Sequence, residues 1–459
     1  MRGAKVRGWW LPSLFFFFVF LFTGQFFVIN IHWLHPTFPS SLWWSVSDEK
    51  SSATCPDYFR WINEDLWAWK ETGITREMVM RGRRTAAFRL VIVNGSAYVD
   101  SYFKAFQSRD TLTVWGILQL LRRYPGKIPD LELMFDCEDE PAIHVEHFRG
   151  PNATAPPPLF TFCADDSTFD IPFPDWSFWG WPELHIRPWE VLSKEFQEGN
   201  ERIKWVDREP YAFWKGNHFT STNRMILAFK CNVSEYQDWG ARLYNQNWTS
   251  VEQEGFNHSN LANQCTHRYK IYIEGRSWSV SEKYILACNS PTLLVNPRYF
   301  DFFSRGLMPM KHYWPISDED KCRSIKHAVE WGNNHPKHAQ QIGKAGSKFM
   351  EKELKMEYVY DYMFHLLSEY SKLLKYKPSV PPQLLPLTSH QMLSFSQGLE
   401  KQFMMESLVE APSHTPPCTM PSSPAPALHS FLKTKQNSIH KVKSWEDDYW
   451  QHANTIGED

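Results

Sequence analysis

Residues 270 to 290 read KIYIEGRSWSVSEKYILACNS. Lys270, Ile271, Tyr272 and Ile273 form a strand-like run that stops at Glu274-Gly275, and an amphipathic run begins at Glu282. Strand, glycine-containing turn and helix in immediate succession are the unit from which parallel sheets are built. Within the turn, Ser279-Val280-Ser281-Glu282 fits a capping box, in which a serine hydroxyl accepts from the amide at Glu282 and the glutamate reaches back. Such boxes occur throughout helical proteins without any ligand. Here the helix start also faces the end of a strand, where free amides and the helix dipole favour an anion. Gly275 permits close approach to the backbone, and Arg276 and Lys283 supply positive charge.

The unit repeats along the chain. Ala87–Val93 (AFRLVIV) reads as a strand, Asn94-Gly95 as a hairpin turn, and Thr111–Arg123 as a helix. Leu131–Phe135 reads as a buried strand ending in the acidic cluster Asp136-Cys137-Glu138-Asp139-Glu140. Tyr211–Trp214, the helix Arg224–Lys230, the strand Thr292–Val295 and helical patterns over 324–376 follow. Alternating strands and helices over this length imply an α/β protein of two lobes. After Lys377 the chain turns proline-rich; it reads as mostly extended or disordered, with a helical patch over 399–409 and a final WEDDYW that docks on the body.

The N-terminus is of another kind. Arg2, Lys5 and Arg7 precede an uncharged stretch from Gly8 to Ile31. That length spans a bilayer, and Phe22-Thr23-Gly24 is a poor cleavage site. The expected organisation is a cytosolic tail (1–8), a transmembrane signal anchor (9–31), a stem (32–54) and a large lumenal part. Beyond the anchor, five N-x-S/T triplets at Asn94, Asn152, Asn232, Asn247 and Asn257 are glycosylation candidates, and eight cysteines without a CxxC suit an oxidising compartment better than a zinc site. With no KDEL-type ending in view, the anchor and stem point to the Golgi rather than the endoplasmic reticulum. Lysine plus arginine (49) balance aspartate plus glutamate (51), so no basic field draws nucleic acid.

Two features suggest chemistry. A carboxylate such as Asp139, just past a buried strand, stands where open α/β sheets bind ligands and would serve as a general base. The bland alternative is a solvated acidic loop. The second feature is the tryptophan content, 22 residues. Flat aromatic walls suit the C–H faces of sugars, and Trp176, Trp179 and Trp181, set among Gly and Pro, are the candidate sugar contacts. Asp318-Glu319-Asp320, the only short D-x-D, reads as a helix start, so no magnesium role is expected there.

PDLELMFDCEDEP, FPDWSFWGW, AFWKGN, CTHRYKIYIEG, SWSVSEKYILAC and YFDFFSRGLMPMKHYWPI together resemble glycosyltransferase family 90, which includes Rumi-like protein O-glucosyltransferases and capsule-associated xylosyltransferases. The likeness runs from about Cys55 to Lys377, and the tail from Glu400 resembles the land-plant branch. It implies a GT-B-like fold of two Rossmann-like lobes facing a cleft: 55–195 on the acceptor side and 196–377 on the donor side, with the tail at 378–459. It implies a UDP-sugar donor, a protein or polysaccharide acceptor, an inverting course without metal, and Asp139 as base. The donor segment falls on Gly275, Arg276, Ser277, Trp278, Ser279, Ser281 and Lys283, and the family's R-G-S-R loop on Lys215, Gly216, Asn217 and His218. A family disulfide corresponds to Cys265–Cys288. Animal members carry arginine where this chain has Ser281, so the phosphate cation must come from elsewhere; plant-like members usually show Trp-Ala at Arg276-Ser277. The competing reading is a sugar- or nucleotide-binding member of the same fold without turnover; a glycoside hydrolase would need two facing carboxylates.

Overall fold

A computed structural model describes residues 53–151, 153–256, 260–421 and 425–456. The expected cytosolic tail, anchor and nearly all of the stem lie outside them, as do Asn152 and Asn257. Among the described residues no helix is long and apolar enough to cross a membrane.

Two five-stranded sheets organise the described chain. In the first, β1 (Phe88–Val93), β2 (Ser96–Ser101), β3 (Leu131–Phe135), β4 (Leu159–Thr161) and β5 (Ile171–Pro172) lie in the order β2-β1-β3-β4-β5. The sequence suggests a parallel, Rossmann-like sheet; only β3, β4 and β5 run parallel. β1 is antiparallel to both β2 and β3. Asn94 and Gly95, both at positive φ (49° and 73°), make a two-residue hairpin that reverses β2. The crossover through α1 (Arg109–Arg123) then brings β3 in parallel to β2, and therefore opposed to the β1 strand between them.

The second sheet is wholly parallel. β6 (Glu209–Gly216), β7 (Ala241–Asn245), β8 (His267–Tyr272), β9 (Thr292–Val295) and β10 (Trp314–Ile316) lie in the order β10-β9-β8-β6-β7. From β6 the chain winds outward through α3 (Thr222–Lys230) to β7; from β8 it winds the other way through α4 (Ser281–Leu286) to β9 and β10. The direction reverses between β6 and β8, and a crevice opens beyond the carboxyl ends of strands at such a switch point. Both sheets belong to one compact unit, and α2 (Trp189–Arg202) leads from the first to the second.

The helices α5 (Lys321–Asn334) and α6 (Pro336–Lys352) complete the second lobe, whereas α7 (Met356–Leu373) returns to the first. There Tyr370 donates to the Glu132 carbonyl at 3.0 Å and Tyr124 donates to Asp361, so 356–373 belongs by packing with the first lobe, not with the second as expected. The proline-rich tail differs in part from its sequence reading: the expected helical patch near 399–409 is present and the final WEDDYW docks, but more of the tail is helical. It folds as α8 (Ser389–Phe395), α9 (Gly398–Glu406) and α10 (Ala425–Ile456). Phe403 and Met404 are buried against the first lobe. In α10, Val442 is buried and Trp445 lies parallel to Trp331, 6.0 Å away. Apolar residues at helical spacing within a polar, proline-punctuated context find a partner surface on the body, which the local composition does not reveal.

Candidate active site

Asp139 and the β8–α4 turn line one cavity of about 260 Å³, at the switch point of the second sheet and facing the carboxyl end of β3. The first lobe contributes Arg109, Asp139, Trp176 and Trp181, and the second contributes Trp214, Lys215, Gly216, Arg224, Gln246, Gly275, Arg276, Trp278, Ser279 and Ser281.

The loop carrying Asp139 is clamped at every turn. Asp136 accepts from the Glu138 amide at 3.0 Å, and Asp170 accepts from the Ala142 and Ile143 amides at 2.9 and 2.8 Å. Burial raises Asp136 to about 6 and Asp170 to about 7, so both acids sit where charge is costly. The Asp139 carbonyl accepts from the Ser277 hydroxyl and, at 3.3 Å, from the Cys163 thiol. Its carboxylate, about 39% exposed, pairs with Arg109 at 2.9 Å. Arg109 is buried, lies 4.7 Å from the Trp176 ring and 5.2 Å from the Phe106 ring, and also donates to the Cys137 carbonyl at 3.1 Å. This cation therefore fixes the orientation of the only carboxylate that lines the cavity among the described residues.

On the opposite wall, the capping box does not form. Val280 is the residue before α4 and makes no side-chain cap. The Ser279 hydroxyl instead meets the Ser281 hydroxyl at 2.8 Å and accepts from Arg224 at 3.1 Å. Glu282 is buried, and burial raises its carboxyl well above the usual range, so it stays inside rather than reaching back to the turn. Lys283 is also turned inward. It is buried in an ion pair with Asp175 at 2.9 Å and does not line the cavity. Ser277 is likewise buried and serves the Asp139 loop. Arg276 is exposed and pairs with the exposed Glu140 at 3.2 Å, a contact of little strength that leaves it free to turn toward a ligand.

A cation that the sequence reading did not name, Arg224, also lines the cavity. It is 8% exposed and has no carboxylate partner among the described residues. Its Nε donates to the Glu274 carbonyl at 3.0 Å, and Nη2 to the Ile273 carbonyl at 3.2 Å as well as to Ser279, leaving Nη1 out of these bonds. Burial lowers its pKa to about 10. A side chain bonded to the very end of β8 from the neighbouring helix α3 has no local sequence signal. Only the topology, with β6 beside β8, brings it there.

Four donors on the cavity wall are buried without a partner among the described residues: Arg109 Nε, Trp176 Nε1, Trp278 Nε1 and Gln246 Nε2. Buried N–H groups are almost always paired, so orphans around a cavity fit a ligand rich in oxygen acceptors. The Trp176 and Trp181 rings meet edge to face at 4.9 Å. Trp179, the third expected contact, is core. It is fully buried, donates to the Tyr360 hydroxyl at 3.0 Å and packs where any Cβ on Gly116 would strike it.

A family model described as glycosyl transferase family 90 matches residues 50–446. The chain belongs to glycosyl transferase family 90. It is accordingly a sugar-transferring enzyme. Among relatives, it is 24% identical over 351 residues to the O-glucosyltransferase rumi of Drosophila melanogaster, covering 74% of this chain and 82% of that protein. It is 26% identical over 345 residues to protein O-glucosyltransferase 1 of Bos taurus and of Homo sapiens, covering 71% of this chain and 82% of each.

In this family 90 chain one disulfide borders the cavity. Cys265–Cys288 is bonded, as the resemblance implies, and joins the segment carrying Leu261 and Gln264 to the end of α4. Cys55–Cys418 and Cys231–Cys322 are further bonds, and Cys137 and Cys163 are free and buried beside the Asp139 loop. Of the sequons, Asn94 and Asn247 are exposed. Asn232 is not available in the same way, because its amide donates to the Leu243 carbonyl and accepts from the Leu243 and Val233 amides.

Proposed function

We propose that this chain transfers a sugar, glucose or xylose, from a UDP-sugar to a hydroxyl of a protein or polysaccharide acceptor. The observation that supports this is the shared cavity, with one arginine-oriented carboxylate facing a wall of cations and unpartnered donors. The names of the relatives, O-glucosyltransferases of proteins, favour glucose and a protein acceptor. In this reading Asp139 takes the proton of the acceptor hydroxyl as its oxygen attacks the anomeric carbon from the face opposite the departing diphosphate. The C–O bond to UDP breaks with its electron pair, and the configuration inverts.

Arg224, Lys215 and Arg276 would stabilise the negative charge that gathers on the diphosphate. Such preorganised charge is usually the largest catalytic contribution. The phosphate site rests on these side chains more than on the α4 dipole, since α4 has only six residues. A wall of basic groups with a single carboxylate already held by Arg109 suits diphosphate binding without a divalent ion. The Trp176–Trp181 wall would face the acceptor. A lumenal, Golgi or endoplasmic reticulum setting behind an N-terminal anchor is the compartment we propose, and three disulfides among the described residues support an oxidising one.

The test is UDP release from UDP-glucose, UDP-xylose and UDP-galactose by wild type and Asp139→Asn. Turnover that falls ~10²–10⁴-fold in Asp139→Asn, with UDP still bound, supports the assignment. A chain that binds UDP yet turns over no donor, in either form, would instead be a binding member of the fold.

A further inference from the structure

The tail helix α9 lies directly behind the acceptor-side wall of the cavity. Gly180 stands between Trp179 and Trp181 at φ +115°, and a Cβ placed on it would come within 2.7 Å of the Phe403 ring. The next residues, Trp181, Leu184 and Ile186, all line the cavity. α9 also packs against the Pro182–Leu184 turn, and its Glu406 pairs with Arg187 at 3.3 Å. One residue beyond α9, the Ser407 hydroxyl accepts from Trp115 of α1 at 2.9 Å. The segment 180–187 is therefore gripped from behind by the tail, and from its own lobe by Gln107, which accepts from Trp181 at 2.8 Å, and Ser108, which donates to Glu183 at 2.9 Å.

These contacts continue to the proposed base. Phe403 abuts Gly180; Trp181 meets Trp176 at 4.9 Å; Trp176 stacks under Arg109 at 4.7 Å; Arg109 pairs with Asp139 at 2.9 Å. We infer that Phe403 is a positioning residue of the active site, acting through Gly180 and the two tryptophans on Arg109 and Asp139. Resting on the function proposed above, this makes α9 a working part of the catalytic half rather than an appendage. Among the described residues, α9 makes no comparably extensive contact with β6, β8 or the helix that carries Arg224. The two halves should thus respond differently to its loss.

Packed interiors relax only partly around a lost ring, and small displacements of a reacting group are costly to rate. Phe403→Ala, in the full chain, is expected to lower kcat for UDP-glucose hydrolysis at least fivefold. The UDP dissociation constant, measured by calorimetry, should stay within twofold. Phe403→Leu should recover most of the rate. Glu406→Gln, at a partly exposed pair that folding tolerates, should lower kcat about twofold with UDP affinity unchanged, and it carries the test if Phe403→Ala does not fold. Unchanged kcat in every folded variant overturns the inference. So does a parallel fall of kcat and UDP affinity, without rescue by leucine, because that pattern marks general loosening. A wild-type chain that neither binds UDP nor hydrolyses UDP-glucose refutes the proposed function itself, while an active wild type beside an equally active Phe403→Ala refutes only the role of Phe403.

Discussion

Replacing Arg224 with methionine separates two roles that a buried cation can have. If Arg224 is structural, its removal destabilises the free protein. If it is held for an anion, the free protein tolerates the loss and ligand binding does not. Burial lowers its pKa from 12.5 to about 10, which corresponds to about 3 kcal/mol spent on keeping the charge without a counter-ion. Against that relief, the variant loses three hydrogen bonds, to the Glu274 and Ile273 carbonyls and the Ser279 hydroxyl. Leaving such acceptors unsatisfied costs ~1–3 kcal/mol each at worst, and less where water enters the cavity. Methionine retains the contact with the Trp214 ring, which the guanidinium holds at 5.4 Å. At about 1 kcal/mol each, the value for acceptors that water can reach, the terms nearly cancel, so the unfolding free energy of the ligand-free variant should lie within about 2 kcal/mol of wild type. Binding a diphosphate recovers the cost of the uncompensated charge only in the wild type. About 3 kcal/mol of lost affinity is a roughly 10²-fold weaker UDP dissociation constant. Urea unfolding and UDP titration of both proteins measure the two quantities. A variant that loses more than about 3 kcal/mol of stability but binds UDP within threefold of wild type would refute the reasoning.

Three other outcomes follow from the geometry. Asp170 has its pKa raised from 3.8 to about 7 by burial, so the folded state keeps a proton that the unfolded chain has released; stability is full below about pH 4 and falls by on the order of 4 kcal/mol as pH rises to about 7. Asp170→Asn should flatten that segment of the stability–pH curve in urea melts, and an unchanged curve would contradict it. Breaking Cys265–Cys288, which closes a separation of 23 residues, should cost about 3 kcal/mol by loop entropy. Because Gln264 lines the cavity next door, UDP affinity should fall with it, and a melt with a UDP titration reads both. In a glycosylating host, peptide mapping of the folded protein should find sugar on Asn94 and Asn247 and none on Asn232, whose amide is committed to β7; full occupancy at Asn232 would show that those bonds do not hold.

Much of this site can be read along the chain because its parts are local. The Lys270–Ile273 strand, the Gly275 turn and Asp139 just past Leu131–Phe135 each carry their own pattern, and Cys265–Cys288 followed from the resemblance. What the sequence hides is what distant packing decides. Ser279 and Glu282 have the spacing of a capping box, yet the apolar surroundings of Glu282 hold it inside and Arg224 takes its place at Ser279. Lys283 is next to the turn but faces Asp175, 108 residues earlier. Arg109 stands at the start of a helix, 30 positions before the carboxylate it orients. Trp179 shares its neighbours' composition and differs only in the direction of its ring, toward Tyr360 instead of the cavity.

The bond between Cys55 and Cys418 spans 363 residues and is flanked by a parallel bridge between Thr54 and Thr419. Cys55 leaves the ribosome first among the eight cysteines and must wait for the last. At ~5–20 residues per second, that wait is roughly 20–70 s. Six other thiols emerge in the meantime, each a wrong partner. Fastening of the tail is thereby a late event of biogenesis, one that sulfhydryl oxidases and isomerases can pace.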